Sequence, residues 1–177
     1  LDSSDLCATG NLDWTSNSTT DYDSDGCQDN SSEDPDDDND GLEDSLDDCS
    51  TGDLGWTSNS TTDYDSDGCQ DSSSEDPDDD NDGIKDHLDE CYTGDLGWTS
   101  NSSTDYDSDG CQDSSSEDPD DDNDSILDSS DRCALGDLGW SSNSTTDHDS
   151  DGCQDSGEDP DDDNDWILDN SDSCSRG

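Results

Sequence analysis

The sequence predicts an irregular, elongated tandem-repeat array with little regular secondary structure. Apolar residues are scarce, since 20% of the 177 residues are hydrophobic and Phe and Met are absent. A globular domain of this length buries about two-thirds of its unfolded surface, which these residues cannot supply. A unit that returns along the whole chain and nine regularly spaced cysteines are the other two observations. We therefore expect a fold that is not held by an apolar core.

The charge balance excludes several classes of partner. The chain has 57 acidic and three basic residues, a net charge of −54, which alone is typical of a disordered acidic polymer. Such a chain repels nucleic acid and anionic membranes and attracts cations. No apolar run approaches the roughly 20 residues of a membrane helix. We expect neither nucleic-acid binding nor membrane insertion.

The repeated unit is 42 residues long, the spacing between Trp14, Trp56, Trp98 and Trp140. A period of this size is typical of quasi-linear arrays whose units contact mainly their neighbours. Asp, Asn, Ser and Gly dominate and favour turns, so we expect loops with short extended pieces near each Trp. The predicted divisions are the tail of a preceding loop at 1–7, repeats at 8–49, 50–91, 92–133 and 134–174, and a C-terminal end or continuation at 175–177.

Each repeat contains an aspartate ladder that we call its second loop. In the first repeat this loop runs from Asp36 to Asp47, with carboxylates at positions 1, 3, 5, 9 and 12, Gly41 at position 6 and a backbone carbonyl available at position 7. This is the ligand spacing of a twelve-residue calcium loop with Asp in place of the final Glu. The predicted ligands are Asp36, Asp38, Asp40, Leu42 (backbone), Asp44 and Asp47; Asp78, Asp80, Asp82, Ile84 (backbone), Asp86 and Asp89; Asp120, Asp122, Asp124, Ile126 (backbone), Asp128 and Asp131; and Asp161, Asp163, Asp165, Ile167 (backbone), Asp169 and Asp172.

Three departures from this pattern carry expectations of their own. Ser125 and Trp166 replace the turn glycine in the last two copies, where we expect strain and weaker binding. Asp2 and Asp5 match the ninth and twelfth places of one more loop whose first half lies outside the sequence. We expect either that the array continues upstream or that a neighbouring chain completes this site.

Each repeat contains another aspartate ladder, which lies before the second loop in the chain and which we call the first loop. It has Asp at positions 1, 3, 5 and 9, a Cys carbonyl at position 7, and a Glu at position 13, or at position 12 in the last copy. We predict that this Glu closes the site. The predicted ligands are Asp21, Asp23, Asp25, Cys27 (backbone), Asp29 and Glu33; Asp63, Asp65, Asp67, Cys69 (backbone), Asp71 and Glu75; Asp105, Asp107, Asp109, Cys111 (backbone), Asp113 and Glu117; and Asp147, Asp149, Asp151, Cys153 (backbone), Asp155 and Glu158.

Calcium is the expected ion, with at least one bound in each loop. Hard oxygen ligands at this spacing suit Ca²⁺, whereas Mg²⁺ keeps several waters and Zn²⁺ prefers His or thiolate. A merely solvated acidic run does not account for spacing kept through four units. EF-hands are excluded because Asp36 follows Ser32 by only four positions, which leaves no room for flanking helices.

The pattern DxDxDGxxDxxDxC, complete from Asp36 to Cys49 and from Asp78 to Cys91, resembles the thrombospondin type 3 repeat. The resemblance implies an irregular calcium-wrapped cord, one disulfide per repeat pair, an extracellular location and a ligand role for the aspartates named above. This chain departs from the family in the insert typified by Gly52–Ser60, and its regular unit looks more like arrays in microbial surface proteins. The partners of the animal family are therefore not carried over.

The cysteines are alternately 20 and 22 residues apart, except for a last interval of 21, and regular cysteines indicate an oxidising, extracellular or cell-surface location. One register pairs Cys7–Cys27, Cys49–Cys69, Cys91–Cys111 and Cys133–Cys153, closing each Trp insert. It leaves Cys174 for an intermolecular bond or a continuing repeat. The shifted register closes the second loops and leaves Cys7. We favour the first.

The remaining features are aromatic and polar. We expect each repeated Trp to cover the nearby disulfide and the Leu or Ile at loop positions 7 and 11; a sugar-binding aromatic strip is the alternative. The two histidines, His87 and His148, are expected to be ordinary exposed residues. Sequons are candidate glycan acceptors or plain polar turns. They begin at Asn17, Asn30, Asn59, Asn101 and Asn143.

No nucleophile–base constellation is present, so we do not expect an enzyme. The leading hypothesis is a calcium-stiffened extracellular fibre or filament formed by end-to-end self-association. The alternatives are the stalk of a larger surface adhesin and an acidic matrix or mineral-associated protein. Mineral nucleation requires flat, exposed carboxylates, whereas the predicted loops turn theirs inward.

Overall fold

The computed structural model describes residues 5–176. Across these residues the backbone forms only turns, bends and irregular segments, with no helix and no strand. The prediction of an irregular fold is confirmed. Many turns need a left-handed residue, and asparagine and glycine, which tolerate that conformation, supply most of them: Asn39 has φ 57° and Gly41 has φ 101°.

The interior consists of carboxylates and sulfur. Within the described part of the chain the buried hydrophobic residues are four cysteines, Cys27, Cys69, Cys111 and Cys153. Most other buried side chains are aspartates, and Asp63, Asp105 and Asp147 have no exposed surface at all. Because a buried charge is costly unless it is paired, this interior needs a compensating partner.

Four disulfides join Cys7–Cys27, Cys49–Cys69, Cys91–Cys111 and Cys133–Cys153, each spanning 20 residues. This is the register that closes the Trp inserts, and Cys174 is free and exposed. A backbone hydrogen bond lies beside each bridge: the N–H of Leu6 donates to the carbonyl of Asp25 at 2.8 Å, and that of Asp48 to Asp67 at 2.7 Å. Each disulfide therefore fixes the end of one second loop against the first loop that follows.

The insert ends in a turn built by its asparagine. Asn17 Nδ2 donates to the carbonyl of Thr15 and to Thr20 Oγ1, each at 2.9 Å, and the carbonyl of Asn17 accepts from the N–H of Asp21 at 3.0 Å. Asn59, Asn101 and Asn143 form the same turn. It places the first aspartate of each first loop.

The repeated tryptophans are half-buried. The expectation that they cover the apolar residue at loop position 11 is wrong, since Leu46 and Leu88 are 67% exposed. In the first repeat the N–H of Leu46 bonds the carbonyl of Glu43 at 2.7 Å. This outward turn brings the twelfth-position carboxylate back to the loop and leaves the neighbouring leucine in solvent.

The chain divides into two compact units, Leu1–Asn81 and Asp82–Gly177. The first contains the disulfides of Cys7 and Cys49, and the second those of Cys91 and Cys133. The boundary falls inside the second loop at 78–89. The predicted repeat divisions are not tested by these units and stay a prediction.

Candidate metal centres

The second loop of the first repeat is closed by its own backbone. The N–H of Gly41 donates to Asp36 Oδ2 at 3.1 Å, that of Asp40 to Asp38 Oδ1 at 3.2 Å, and that of Leu42 to Asp40 Oδ1 at 2.7 Å. Position 9 closes the other side, since Asp44 Oδ1 accepts from the N–H at position 2 at 2.8 Å. These bonds turn alternate side chains toward a common centre.

The second oxygen of several of these carboxylates is buried and has no hydrogen-bond partner. Asp36 Oδ1, Asp40 Oδ2 and Asp47 Oδ2 are of this kind. Oxygens of Asp36, Asp38 and Asp40 lie within 4.8 Å of one another. A buried carboxylate oxygen without a donor is unfavourable, so an arrangement of several around one point fits a bound cation. The donors are all oxygen, the set that hard cations prefer.

The same geometry recurs in the third and fourth repeats. Asp120 Oδ1, Asp124 Oδ2 and Asp131 Oδ2 are buried without a partner, as are Asp161 Oδ1 and Asp172 Oδ2. The loop at 78–89 contains the boundary between the two units. The N–H of Asn81 bonds the carbonyl of Asp78 at 3.1 Å, and that of Ile84 bonds Asp82 Oδ1 at 2.6 Å.

The two replaced glycines still adopt the left-handed turn. Ser125 has φ 83° and donates its N–H to Asp120 Oδ2 at 3.0 Å; Trp166 has φ 76° and donates to Asp161 Oδ2 at 2.9 Å. Such a φ is strained for a side chain as large as Trp. The fourth loop is also more open, because Asp165 is exposed whereas its equivalent Asp40 is 1% exposed.

The first loops are closed by the same pattern. The N–H of Gly26 donates to Asp21 Oδ1 at 3.3 Å, that of Asp25 to Asp23 Oδ1 at 3.0 Å, and that of Cys27 to Asp25 Oδ1 at 2.8 Å. Asp29 at position 9 accepts from the N–H at position 2 at 3.2 Å. Oxygens of Asp21, Asp23 and Asp25 lie within 4.8 Å of one another, as do those of Asp63, Asp65 and Asp67.

The twelfth-position aspartate of a second loop lies against the turn glycine of the next first loop. A Cβ on Gly68 would meet the Asp47 carboxylate, and one on Gly152 would meet that of Asp131. Asp5, the predicted end of a preceding loop, lies in the same way against Gly26 and has a buried Oδ1 without a partner. Asp2 lies outside the described residues.

The predicted closing glutamates are placed differently from the aspartates. Both carboxylate oxygens of Glu33 accept a hydrogen bond from the backbone N–H of Asn11, at 3.0 and 2.9 Å. Glu75 Oε1 accepts one from the backbone N–H of Asp53 at 2.8 Å. Glu117 and Glu158 contact Asp95 and Asp137 in the same way, at 2.8 and 3.0 Å. These carboxylates hold the insert onto its loop, and their role as metal ligands stays a prediction.

Sequence reasoning missed three residues of each repeat, which in the first repeat are Asp34, Asp37 and Asn39. Asp34, next to Glu33, is 5% exposed, and its oxygen groups with Asp25 and Cys27 and also with Asp29 and Asp37. Asn39 Nδ2 donates to Asp23 and so joins the two loops of one repeat. The Asp-Pro-Asp-Asp-Asp-Asn run that contains all three recurs in every repeat and could have drawn attention to them.

Two carboxylates of the second loops, Asp47 and Asp124, have a pKa well above the usual value. Burial raises the pKa of Asp47 to about 7, with the charges of Asp38 and Asp40 adding to the shift, and burial raises the pKa of Asp124 to about 6. The cause is the removal of carboxylates from water into a site that holds other carboxylates. A cation at the centre would reverse both effects.

No family model and no curated protein matches the chain. Across residues 5–176 there is no helix with the length and apolar character required to cross a membrane. His87 and His148 are exposed. The aspartate clusters and the four disulfides fit a cation-binding Asp/Cys repeat.

Proposed function

We propose that the chain is an extracellular structural protein in which calcium ions stabilise the fold, and that it forms a rigid fibre or filament by end-to-end self-association. The observation that carries the calcium role is that the two oxygens of one carboxylate have different surroundings. One oxygen of Asp36 or Asp40 accepts a backbone N–H, and the other is buried without a donor. A loop that is already closed by its backbone needs only a cation to neutralise it.

Calcium suits this arrangement better than the common alternatives. The clustered groups are carboxylates, and with the predicted backbone carbonyl at position 7 they would supply the six to eight oxygens that Ca²⁺ takes. Eight of the nine cysteines are in disulfides, so Cys174 beside the fourth second loop is the only thiol and the remaining loops have no thiolate of the kind that Zn²⁺ prefers. The resemblance to the thrombospondin type 3 repeat points to the same ion.

The structural role is supported by the lack of buried apolar side chains and by the carboxylate clusters and disulfides that take their place. The described residues bury almost no apolar side chain other than cystine. Ions and disulfides then take the place of a core, which suits an oxidising location outside the cell. Burial of carboxylates such as Asp63 and Asp82, both 0% exposed, weighs against a mineral-binding surface.

The test combines calcium removal with electron microscopy and solution scattering. We expect a chelator to expand the particles and to change the circular dichroism, and calcium, but not magnesium, to restore both. Asp36→Asn/Asp40→Asn is expected to lose one bound ion per chain, whereas Asp48→Asn, an exposed residue outside the loops, retains the full number. Chelator-treated particles with unchanged dimensions would show that calcium does not support the fold.

End-to-end association is tested by measuring the length of the particles in calcium and after addition of chelator. Fibres that grow from purified chain in calcium and shorten with chelator are expected from end-to-end association. Particles that stay one chain long at high protein concentration would contradict it and would favour the stalk of a larger surface protein.

A further inference from the structure

We propose that each repeat holds an additional cation between its two loops, at Asp29, Asp34 and Asp37 in the first repeat, and that in the fourth repeat the guanidinium of Arg176 occupies this place instead of a metal ion. The proposal rests on the calcium-binding role proposed above. We call this group of residues the inter-loop cluster.

The inter-loop cluster is built from buried carboxylates. Oxygens of Asp29, Asp34 and Asp37 lie within 4.8 Å of one another, and the three residues are 3%, 5% and 9% exposed. Asp37 is the second residue of its loop and belongs to neither predicted ligand set. Its N–H is bonded to Asp44 Oδ1 at 2.8 Å, which fixes the backbone on which its side chain stands.

Two of the three carboxylates of this cluster have an oxygen without a donor. Asp34 Oδ2 and Asp37 Oδ1 are buried without a hydrogen-bond partner, and the equivalent Asp118 Oδ2 and Asp121 Oδ1 repeat this in the third repeat. The other oxygen of Asp34 accepts the N–H of Asp36 at 3.4 Å, so one oxygen is held by the backbone and one is left for a cation. The loops show the same division.

The electrostatics require a positive partner. Asp29, Asp34 and Asp37 are all acidic, and none of them is more than 9% exposed. Without a cation the cluster holds carboxylates that repel one another in a site shielded from water. The geometry therefore leaves a cation or a proton as the compensating species, and the experiment below separates them.

The fourth repeat shows a cation in this place. Arg176 Nη2 lies 2.7 Å from Asp155 Oδ2, and its Nε lies 3.1 Å from Asp162 Oδ2. Asp155 and Asp162 are the equivalents of Asp29 and Asp37, and their side chains are 2% and 9% exposed. Arginine satisfies two carboxylates at once through its planar fork of N–H donors.

The other repeats have no such side chain. The residue two places after the corresponding cysteine is Thr51, Thr93 or Leu135, none of which carries a charge. A cation in those clusters has to come from solution. With oxygen donors alone, a divalent ion of the calcium class is the fitting ligand.

The experiment counts calcium bound to the full chain by equilibrium dialysis at saturation. Arg176→Gln is expected to gain one ion per chain, because the vacated cluster becomes equivalent to the others. Arg176→Lys, which retains the charge, is the matched control and is expected to gain none. Asp37→Asn is expected to lose one ion, whereas Asp48→Asn loses none.

The outcomes separate this proposal from the proposed function. If the wild-type chain binds calcium in its loops but Arg176→Gln gains no ion and Asp37→Asn loses none, protons or hydrogen bonds satisfy the cluster and the inter-loop site is wrong. If the wild-type chain binds no calcium, the proposed function fails and this site fails with it. The gain expected for Arg176→Gln does not depend on whether Asp37→Asn folds.

Discussion

The phenol of Tyr22 donates a hydrogen bond of 2.8 Å to the carbonyl of Gly52, 30 residues further along the chain. Tyr106 makes the same bond to Gly136 at 2.9 Å. Each tyrosine is the second residue of a first loop, and each glycine begins the insert of the next repeat. The bond therefore joins successive repeats independently of any metal ligand.

Loss of this bond is expected to destabilise the junction. Tyr22→Phe keeps the ring and removes one partly buried hydrogen bond, which contributes about 1 kcal/mol. We expect the urea midpoint measured in excess calcium to fall for Tyr22→Phe and for Tyr106→Phe. Tyr92→Phe, at a residue that is 50% exposed, is the control and should leave the midpoint unchanged. Equal midpoints for all three variants would contradict a role for the bond.

Two glycines with the same backbone angle separate strain from crowding. Gly55 has φ 87° and nothing within 4 Å of an added Cβ, whereas Gly68 has φ 89° and an added Cβ there would meet the Asp47 carboxylate. Gly55→Ala should cost about 1 kcal/mol from the left-handed conformation. Gly68→Ala should show the same cost and, in addition, weaker calcium binding, because Asp47 has to move.

The measurement is calcium titration by calorimetry together with thermal unfolding. Weakened binding in Gly55→Ala equal to that in Gly68→Ala would mean that backbone strain, and not the position of Asp47, determines the affinity.

Restoring glycine to the two altered turns is expected to stabilise the protein. Trp166 and Ser125 adopt φ 76° and 83° at the place where the other second loops have glycine. A residue held in this region costs about 1–3 kcal/mol. Trp166→Gly and Ser125→Gly should raise the thermal midpoint in calcium. Gly41→Ser is the reciprocal change: its nearest contact would be Thr57 Cγ2 at 3.7 Å, so the loss expected there comes from strain and not from a clash. A Trp166→Gly protein with a lower midpoint would show that the indole contributes more than its backbone costs.

Calcium-free protein is expected to become more stable as the pH falls. Burial raises the pKa of Asp37 and Asp47 to about 7 and that of Asp34 to about 6, well above the value of an exposed aspartate. The folded state therefore takes up protons that the unfolded chain does not, so its stability is greatest below about pH 4 and is lost as the pH rises through 6 to 7. Unfolding by urea in chelator, from pH 4.5 to 8, measures this dependence.

In saturating calcium the order reverses, because protons compete with the ion for the same oxygens. The calcium affinity should fall as the pH drops from 8 to 5. An affinity that is independent of pH across this range would indicate that the buried carboxylates are not the ligands.

Part of the site could be predicted because the spacing of the aspartates along the chain restricts the turns that can bring their carboxylates together. Alternate aspartates followed by glycine, as in Asp36 to Gly41, can form only a few turns, and the closed loop contains the oxygens that the pattern predicts. Glu33 was harder to place, because a carboxylate at the edge of a loop can face either the centre or a nearby backbone N–H. In the structure Glu33 bonds the N–H of Asn11.

Sequence by itself determined the irregular fold, the absence of an apolar core and the two ladders, since all three follow from composition and local spacing. Tertiary structure alone decided how the ladders meet: Asn39 reaches Asp23, Asp47 lies against Gly68, and Asp29, Asp34 and Asp37 come together between the loops. The physical reason is that these contacts join residues from separate turns. Their proximity depends on how the disulfides and the left-handed turns orient each loop, which no local pattern of residues specifies.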